Sequence, residues 1–240
     1  LANGTYRINA TYAGDNKYIG NSSNTVTLTV EKIATDINVS ASSIFVGQTA
    51  VIKVNMTPEI TATVQVEVGG KTYDVAVVNG KGSLNVTGLL NRTYDVNVTF
   101  AGDAKYVAAN NTTQLKVNKV VDYRIDVTPT NITVGQNETI TVILPADVNS
   151  TNLVVKVNNT VYQINKMDNG IATVIVPGLE VGTYEVNVTY KGDDKYFIKY
   201  NNGTKFIVSP TANYGIKLDV ESHTYGEYTI FNVTVPKDVV

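Results

Sequence analysis

The chain alternates between apolar and polar residues. Residues 5–12 read TYRINATY, and the same period of two returns as TYDVNVTF at 93–100 and TYEVNVTY at 183–190. Period two is the pattern of a strand with one buried face, because successive side chains point to opposite sides of a sheet. Parity assigns the faces. Tyr184, Val186, Val188 and Tyr190 share one side and Glu185, Asn187 and Thr189 the other; Tyr94, Val96, Val98 and Phe100 stand against Asp95, Asn97 and Thr99. Tyr6, Ile8, Ala10 and Tyr12 stand likewise against Arg7, Asn9 and Thr11, and each first set is expected in a core. A second strand carries Ile52, Val54 and Met56, matched by Ile140, Val142 and Leu144 and by Phe231, Val233 and Val235. All nine positions are apolar, so the register is well specified.

The matches define a repeat. GDNKY at 14–18 recurs as GDAKY at 102–106 and GDDKY at 192–196, in steps of 88 and 90 residues. VGQ at 46–48 recurs at 134–136, and YGE follows at 225–227. In this register 1–33 is the C-terminal part of a first repeat, 34–120 a complete second, 121–210 a complete third and 211–240 the N-terminal part of a fourth. The two partial repeats together lack a middle of about thirty residues and offer too few strands to bury a face. The chain is therefore expected to be a window onto a longer tandem array; an expression boundary chosen inside repeats and strand donation between chains are the alternatives.

Within the third repeat the pattern predicts seven strands, at 123–128, 137–144, 152–158, 161–165, 171–176, 183–190 and 204–208, separated by turn signals such as AspAsnGly at 168–170 and ProGlyLeu at 177–179. In the second repeat GlyGly at 69–70 and AsnGly at 79–80 serve as turns. Seven short strands without helical periodicity point to an all-β fold of tandem immunoglobulin-like β-sandwich domains, about 90 residues each, with short linkers. The linkers are Lys32 to Thr35, Lys119 to Asp122 and Ser209 to Asn213. Composition agrees, since valine, threonine and asparagine number 38, 31 and 27 of 240 residues. With no cysteine and no tryptophan, the usual Cys–Trp–Cys core is absent, and aliphatic and tyrosine packing must replace it. Tyr6, Tyr94 and Tyr184, at the start of the sixth strand, occupy either a tyrosine corner or plain aromatic core.

Asn-x-Ser/Thr sequons are abundant. They begin at Asn3, Asn9, Asn21, Asn38, Asn55, Asn85, Asn91, Asn97, Asn110, Asn111, Asn131, Asn137, Asn149, Asn158, Asn187, Asn202 and Asn232. Chance pairing of 27 asparagines with 40 serines and threonines in 240 residues gives about 4 or 5. Outward strand positions filled by Asn and Thr produce i, i+2 pairs by patterning alone, but turn sites such as Asn131, Asn137 and Asn202 are less well explained that way. N-linked glycans are expected, which would place the chain outside the cell.

Other chemistry is sparse. The Gly-Asp-x-Lys-Tyr loop joins the sixth and seventh strands at the end where the chain enters the domain; it is read as a turn in which Gly supplies an unusual dihedral, Asp caps, and Lys and Tyr cover the sandwich end. Asp103 with Asp36, or Asp193 with Asp122, would have to hold an interdomain calcium ion, but six to eight oxygens are wanted and the carboxylates are few. An isopeptide crosslink is not supported, because Lys53 aligns with Thr141 and Asn232, and Lys116 with Ile207. Asp168 with Glu180 is not a repeated pair, His223 is the sole histidine, and no nucleotide, zinc-protease or nucleophile-elbow motif occurs, so no enzyme, metal centre or cofactor is expected. A net charge of −2 and dispersed basic residues speak against nucleic acid. No apolar run is long enough to span a membrane, and the polar, alternating first residues do not read as a signal peptide.

VGQTAVIKV (46–54), VGQNETITV (134–142), NRTYDVNVTFAGDAKY (91–106) and VGTYEVNVTYKGDDKY (181–196) resemble the bacterial-type immunoglobulin-like (Big) repeats of surface proteins, especially the adhesin-like proteins of methanogenic archaea. The resemblance covers nearly the whole chain. It implies an extracellular, cell-surface stalk or filament segment whose partners are neighbouring repeats, further copies of itself in a fibre, or other cells and surfaces. Tyr225-Gly226-Glu227 departs from the Val-Gly-Gln pattern and leaves the fourth repeat's turn in doubt. The other reading is an adhesion module binding through loop aromatics, with Tyr196, Phe197 and Tyr200 the candidates; a covering role at the sandwich end competes with it.

Overall fold

Strands form where β-branched residues alternate with polar ones, and the turns fall at Gly, Asn and Asp. The computed structural model describes residues 1–212 and 214–237; Asn213, the end of the third linker, and 238–240 lie outside the described residues. Two units divide the chain, Leu1–Val120 and Val121–Val240.

In the first unit, β1 (Gly4–Ile8), β2 (Thr11–Gly14), β3 (Ile19–Ser22) and β4 (Val26–Val30) make two ribbons, β1–β4 and β2–β3. Then come β5 (Asp36–Ala41), β6 (Ile44–Phe45), β7 (Ala50–Thr57), β8 (Ala62–Val68), β9 (Lys71–Val77), β10 (Lys81–Val86), β11 (Arg92–Phe100) and β12 (Ala109–Asn118). These form sheets of order β10-β7-β5 and β6-β12-β11-β8-β9, with β6–β12 the parallel pair. One apolar core lies between them, its buried members running from Ile37 to Val117. Ile52, Val54, Val64, Val66, Val96 and Val98 are wholly buried.

The second unit contains β13 (Asp126–Thr128), β14 (Ile132–Thr133), β15 (Glu138–Ile143), β16 (Leu153–Val157), β17 (Thr160–Tyr162), β18 (Lys166–Asp168), β19 (Ile171–Val176), β20 (Gly182–Tyr190) and β21 (Lys199–Ser209), followed by the ribbon β22 (Lys217–Val220) and β23 (Phe231–Thr234). Its sheets are β13-β15-β19-β18 and β14-β21-β20-β16-β17, with β14–β21 parallel. Ile140, Val142, Val174, Val186, Val188 and Tyr190 are wholly buried. Each complete repeat is thus an all-β, two-sheet, immunoglobulin-like sandwich.

Several details differ from the sequence expectation. The first strand of the third repeat starts at Asp126 rather than 123, because Tyr123 and Ile125 pack inward without laddering. Of the segment expected at 161–165 only 161 and 162 are strand, in β17, and a further short strand in the other sheet, β18, follows at Lys166–Asp168. The last strand begins at Lys199, not 204, and carries a bulge opposite Val186–Val188. The repeat offset is 90 residues at the Gly-Asp loop and 91 at Phe206 and Val208, which match Leu115 and Val117. A one-residue insertion would flip every later side chain; the bulge at Gly203 (φ 84°) absorbs it and keeps Phe206 and Val208 buried.

The partial repeats correct the parity assignment. Ile8 is 45% and Tyr12 47% exposed, Ala10 is exposed and Tyr6 only half-buried. Phe231, Val233 and Val235 are also exposed. The pairing is repeat-like, since Gly4↔Val30 and Tyr6↔Leu28 copy Gly182↔Val208 and Tyr184↔Phe206. What is missing among the described residues is a facing sheet, and parity buries a face only where one exists.

The turn after the short strands β6 and β14 is built alike. Gln48 Oε1 accepts the Phe45 N–H at 2.8 Å, and Gln136 Oε1 accepts the Thr133 N–H at 2.9 Å. In the fourth repeat the Glu227 carboxylate accepts the Thr224 N–H at 3.1 Å, with Gly226 at φ 98°. Tyr-Gly-Glu therefore makes the same turn, because only an acceptor oxygen and a left-handed glycine are needed.

Candidate functional site

The most repeated chemistry is the Gly-Asp-x-Lys-Tyr loop. One carboxylate oxygen accepts two successive backbone amides in every copy: Asp15 from Lys17 and Tyr18 (2.8 and 2.7 Å), Asp103 from Lys105 and Tyr106 (2.7 and 2.7 Å), Asp193 from Lys195 and Tyr196 (2.7 and 2.7 Å). The aspartate amide closes the loop onto the tyrosine carbonyl at 2.9, 3.1 and 3.0 Å. Gly14, Gly102 and Gly192 have φ of 91°, 79° and 82°, and a Cβ on them would meet backbone nitrogen at 2.6, 2.7 and 2.9 Å. Both the dihedral and the space demand glycine. The lysine ammonium lies 5.2, 5.1 and 5.1 Å from the centre of the following tyrosine ring. The Tyr106 and Lys105 amides hold Asp103 below the usual carboxylate range; for Asp15 the Tyr12 hydroxyl contributes most, then the amides.

The tyrosine question is answered by geometry. Tyr6 Oη donates to Ala2 O (2.8 Å), Tyr184 Oη to Glu180 O (3.0 Å), and Tyr94 Oη to Leu90 O (3.2 Å) while accepting the Leu90 N–H (2.9 Å). Each reaches four residues back, so all three are tyrosine corners.

Of the sequon asparagines, all are exposed except Asn97 and Asn187, which are half-buried. Some are engaged through the amide nitrogen that a glycan would occupy: Asn3 to Val30 O, Asn91 to Val117 O, Asn111 to Ile37 O and Asn187 to the Glu185 carboxylate, at 2.9, 2.8, 2.6 and 2.9 Å. Asn187 also accepts from Gly203 in the bulge. Asn21, Asn97, Asn131, Asn149 and Asn158 act as acceptors, and the bonded atom is the side-chain oxygen, not the nitrogen. Asn38 and Asn55 face each other across β5 and β7.

The loop aromatics divide. Tyr196 is buried and covers the sandwich end, whereas Phe197 and Tyr200 are 52% and 57% exposed. Around Tyr196 lies a wider network, of which the Tyr190–Asp193 bond has a counterpart in Tyr12 and Asp15 of the first repeat. Asp147 receives Lys195 Nζ (2.6 Å) and Tyr196 Oη (2.7 Å), Tyr190 Oη donates to Asp193 (2.5 Å), and Tyr123 Oη donates to Phe197 O. Burial pushes the Tyr123 and Tyr190 hydroxyls up to about 12, helped for Tyr190 by its bond to Asp193. Phe100 and Thr35 replace Tyr190 and Tyr123 in the second repeat, so the network cannot form there.

Sequence reading missed Glu138, a wholly buried carboxylate that accepts the Thr130 N–H and hydroxyl at 2.7 and 2.9 Å. Its signal was available, because Glu138 shares parity with Ile140, Val142 and Leu144 and replaces Ala50 of the earlier repeat. Asp103, the calcium candidate, has one oxygen committed to the loop amides; among the described residues no three His, Asp or Glu side chains gather in a metal-holding group. Lys53 and Lys116 are exposed on outer faces. Among the described residues no helix is long and apolar enough to cross a membrane.

No protein-family model matches the chain, and no curated protein matches it. Solved structures similar to it include the fibronectin(III)-like modules of Clostridium thermocellum CbhA, at 14% identity over 80% of this chain and 100% of that one, with a TM-score of 0.30. The Escherichia coli adhesin FdeC matches at 14% identity over 84% and 72%, with a TM-score of 0.35. Tandem Ig repeats of Dlar match at 14% identity over 74% and 99%, with a TM-score of 0.27.

Proposed function

We propose that the chain is a structural repeat segment of an extracellular, adhesin-like stalk or filament of the Big type, N-glycosylated and joined to neighbouring repeats of the same kind. The observation that supports this most is the division between interior and exterior. Val96, Val98, Val186 and Val188 are wholly buried inside separately described sandwiches and line no cleft, while the sequon asparagines sit on the outer faces and turns. A sealed interior with a polar, sugar-tolerant coat suits a spacer, and a bulky glycan is accommodated only on a surface. Intact mass and glycopeptide mapping of native material provide the test. Glycans are expected first at Asn38, Asn85, Asn137 and Asn202, which occupy exposed positions; a bare polypeptide at all sequons removes the glycoprotein reading.

A second reading rests on Phe197 and Tyr200, exposed together beside the third repeat's loop. An adhesive module would bind a surface or saccharide through them. Pull-down lost in a Phe197→Ser, Tyr200→Ser variant that keeps the fold would favour adhesion, and binding to nothing by the parent protein favours the spacer.

A further inference from the structure

The Gly-Asp-x-Lys-Tyr loop closes on its own aspartate, yet one residue from outside the sandwich is bonded to it. Ile33, in the linker before β5, makes an isolated parallel bridge with Tyr106: its N–H donates to Lys105 O at 2.8 Å, and its carbonyl accepts the Val107 N–H at 2.9 Å. Neither bond uses a side chain of Ile33. The loop offers an outward carbonyl and an outward amide, spaced as a strand edge would space them, and the linker adds to it as a one-residue strand.

The outward aim of the Lys105 carbonyl has a cause. A trans peptide unit is planar, with its C=O and N–H pointing in opposite directions. Asp103 Oδ1 holds the Tyr106 N–H at 2.7 Å, on the inner side of the loop. The carbonyl of the same peptide unit, that of Lys105, must then point away from Asp103, toward Ile33. The second bond, from the Lys105 N–H, and the left-handed Gly102 keep the loop from relaxing out of that orientation. Lys32, next to Ile33, adds a positive charge near enough to pull the Asp103 carboxyl down.

We infer that the Gly-Asp-x-Lys-Tyr motif is a linker socket and that Asp103 is its positioning residue: by fixing the Lys105–Tyr106 peptide it seats the backbone of Ile33 and stiffens the entry to the domain. This goes beyond the stalk reading and does not depend on where the chain is displayed. The same two amide bonds to Asp15 and Asp193 aim the Lys17 and Lys195 carbonyls outward, so one motif builds the same socket in each copy.

Residue-resolved amide exchange on the 240-residue protein tests this, comparing wild type with Asp103→Ala and Asp103→Asn. Asp103→Ala should speed exchange at Ile33 and Val107 roughly tenfold or more, while Val96 and Val98 stay protected. Asp103→Asn keeps an acceptor oxygen and should retain most of the Ile33 protection. Unchanged Ile33 exchange in Asp103→Ala, or equal loss in both variants, overturns the inference, the latter because charge and not peptide aim would then hold the linker. Should Asp103→Ala expose Val96 and Val98 as well, Ile33→Pro decides instead: it deletes the linker's donor, and Val107 must lose protection with the core intact. Val107 exchange unaltered by Ile33→Pro refutes the socket.

Discussion

The three tyrosine corners are not equivalent, and the difference can be measured. In Tyr94 the hydroxyl makes two bonds to one residue, accepting from Leu90 N at 2.9 Å and donating to Leu90 O at 3.2 Å, with the ring buried. Tyr184 makes one, to Glu180 O at 3.0 Å, from a half-buried ring stacked 5.4 Å from Phe206. Phenylalanine keeps the ring contacts in both places, so Tyr→Phe isolates the hydroxyl. A net hydrogen bond contributes about 0.5–1.5 kcal/mol, and a partly buried donor left without a partner costs about 1–3 kcal/mol. Tyr94→Phe is therefore expected to cost about 1.5–3 kcal/mol and Tyr184→Phe about 0.5–1 kcal/mol. A chain with several cores need not unfold in one step, so bulk denaturation would blur the two effects. Amide exchange reports each repeat by itself, with Val96 and Val98 for one and Val186 and Val188 for the other. Equal losses, or a larger loss for Tyr184→Phe, would refute the claim that these bonds set the stability of the corner.

Glu138→Ala should destabilise the third repeat by about 1–3 kcal/mol, because the Thr130 amide and hydroxyl lose their acceptor, and Glu138→Gln should recover part of that; exchange at Val142 measures both. The ion pair of Asp147 and Lys195 gives a pH dependence. Lys195 first, then Tyr196, depress the Asp147 carboxyl below its ordinary 3.8, so its contribution is present above 3.8 and is lost as pH falls through the lower folded value. Asp147 raises Lys195 above 10.5, so that contribution holds below 10.5 and fades as pH rises past it. The side chains are 54% and 33% exposed, and solvent screening keeps the effect below about 1 kcal/mol. Amide protection at Val186 and Val188 in Asp147→Asn and the parent should therefore converge at acid pH and differ modestly at neutral pH; a neutral-pH difference that persists at pH 2 would contradict this assignment.

The sandwich was legible because period two is a direct record of which side of a sheet a residue faces. Val96, Val98, Val186 and Val188 were placed in the core by parity alone and are fully buried. Parity says nothing about whether a second sheet is present, which is why Ile8, Tyr12, Phe231 and Val233 were assigned to a core and lie exposed. Nor does it show a bulge directly, although the change of offset from 90 to 91 residues across the last strand marks where one must fall. The loop motif was recognised as a turn from Gly and Asp; its bonds to Ile33 were not, because both are made by backbone atoms that every residue possesses. The short strands β17 and β18 escaped for a related reason, as three-residue strands carry too little alternation to assign a sheet.

The distribution of these bonds bears on how a complete repeat would answer tension along the chain. Two recurrent sets of bonds in the complete repeats lie at the ends of the last strand. The short strand near each complete repeat's start runs parallel to its last strand: Ile44 and Phe45 beside Val117 and Asn118, Ile132 and Thr133 beside Val208 and Ser209. The amides of Val46 and Val134 extend the pairing to Asn118 O and Ser209 O, each at 2.9 Å. A pull on the two chain ends of such a repeat draws the parallel strands along their length in opposite directions, so these bonds carry load together instead of opening one at a time. Gln48 and Gln136 pin the turn that follows the short strand, and Asn91, beside the Tyr94 corner, bonds the carbonyl of Val117 at 2.8 Å. The corner and the glutamine turn thus brace the strand through which the chain leaves, as the Asp103 loop seats the linker through which it enters.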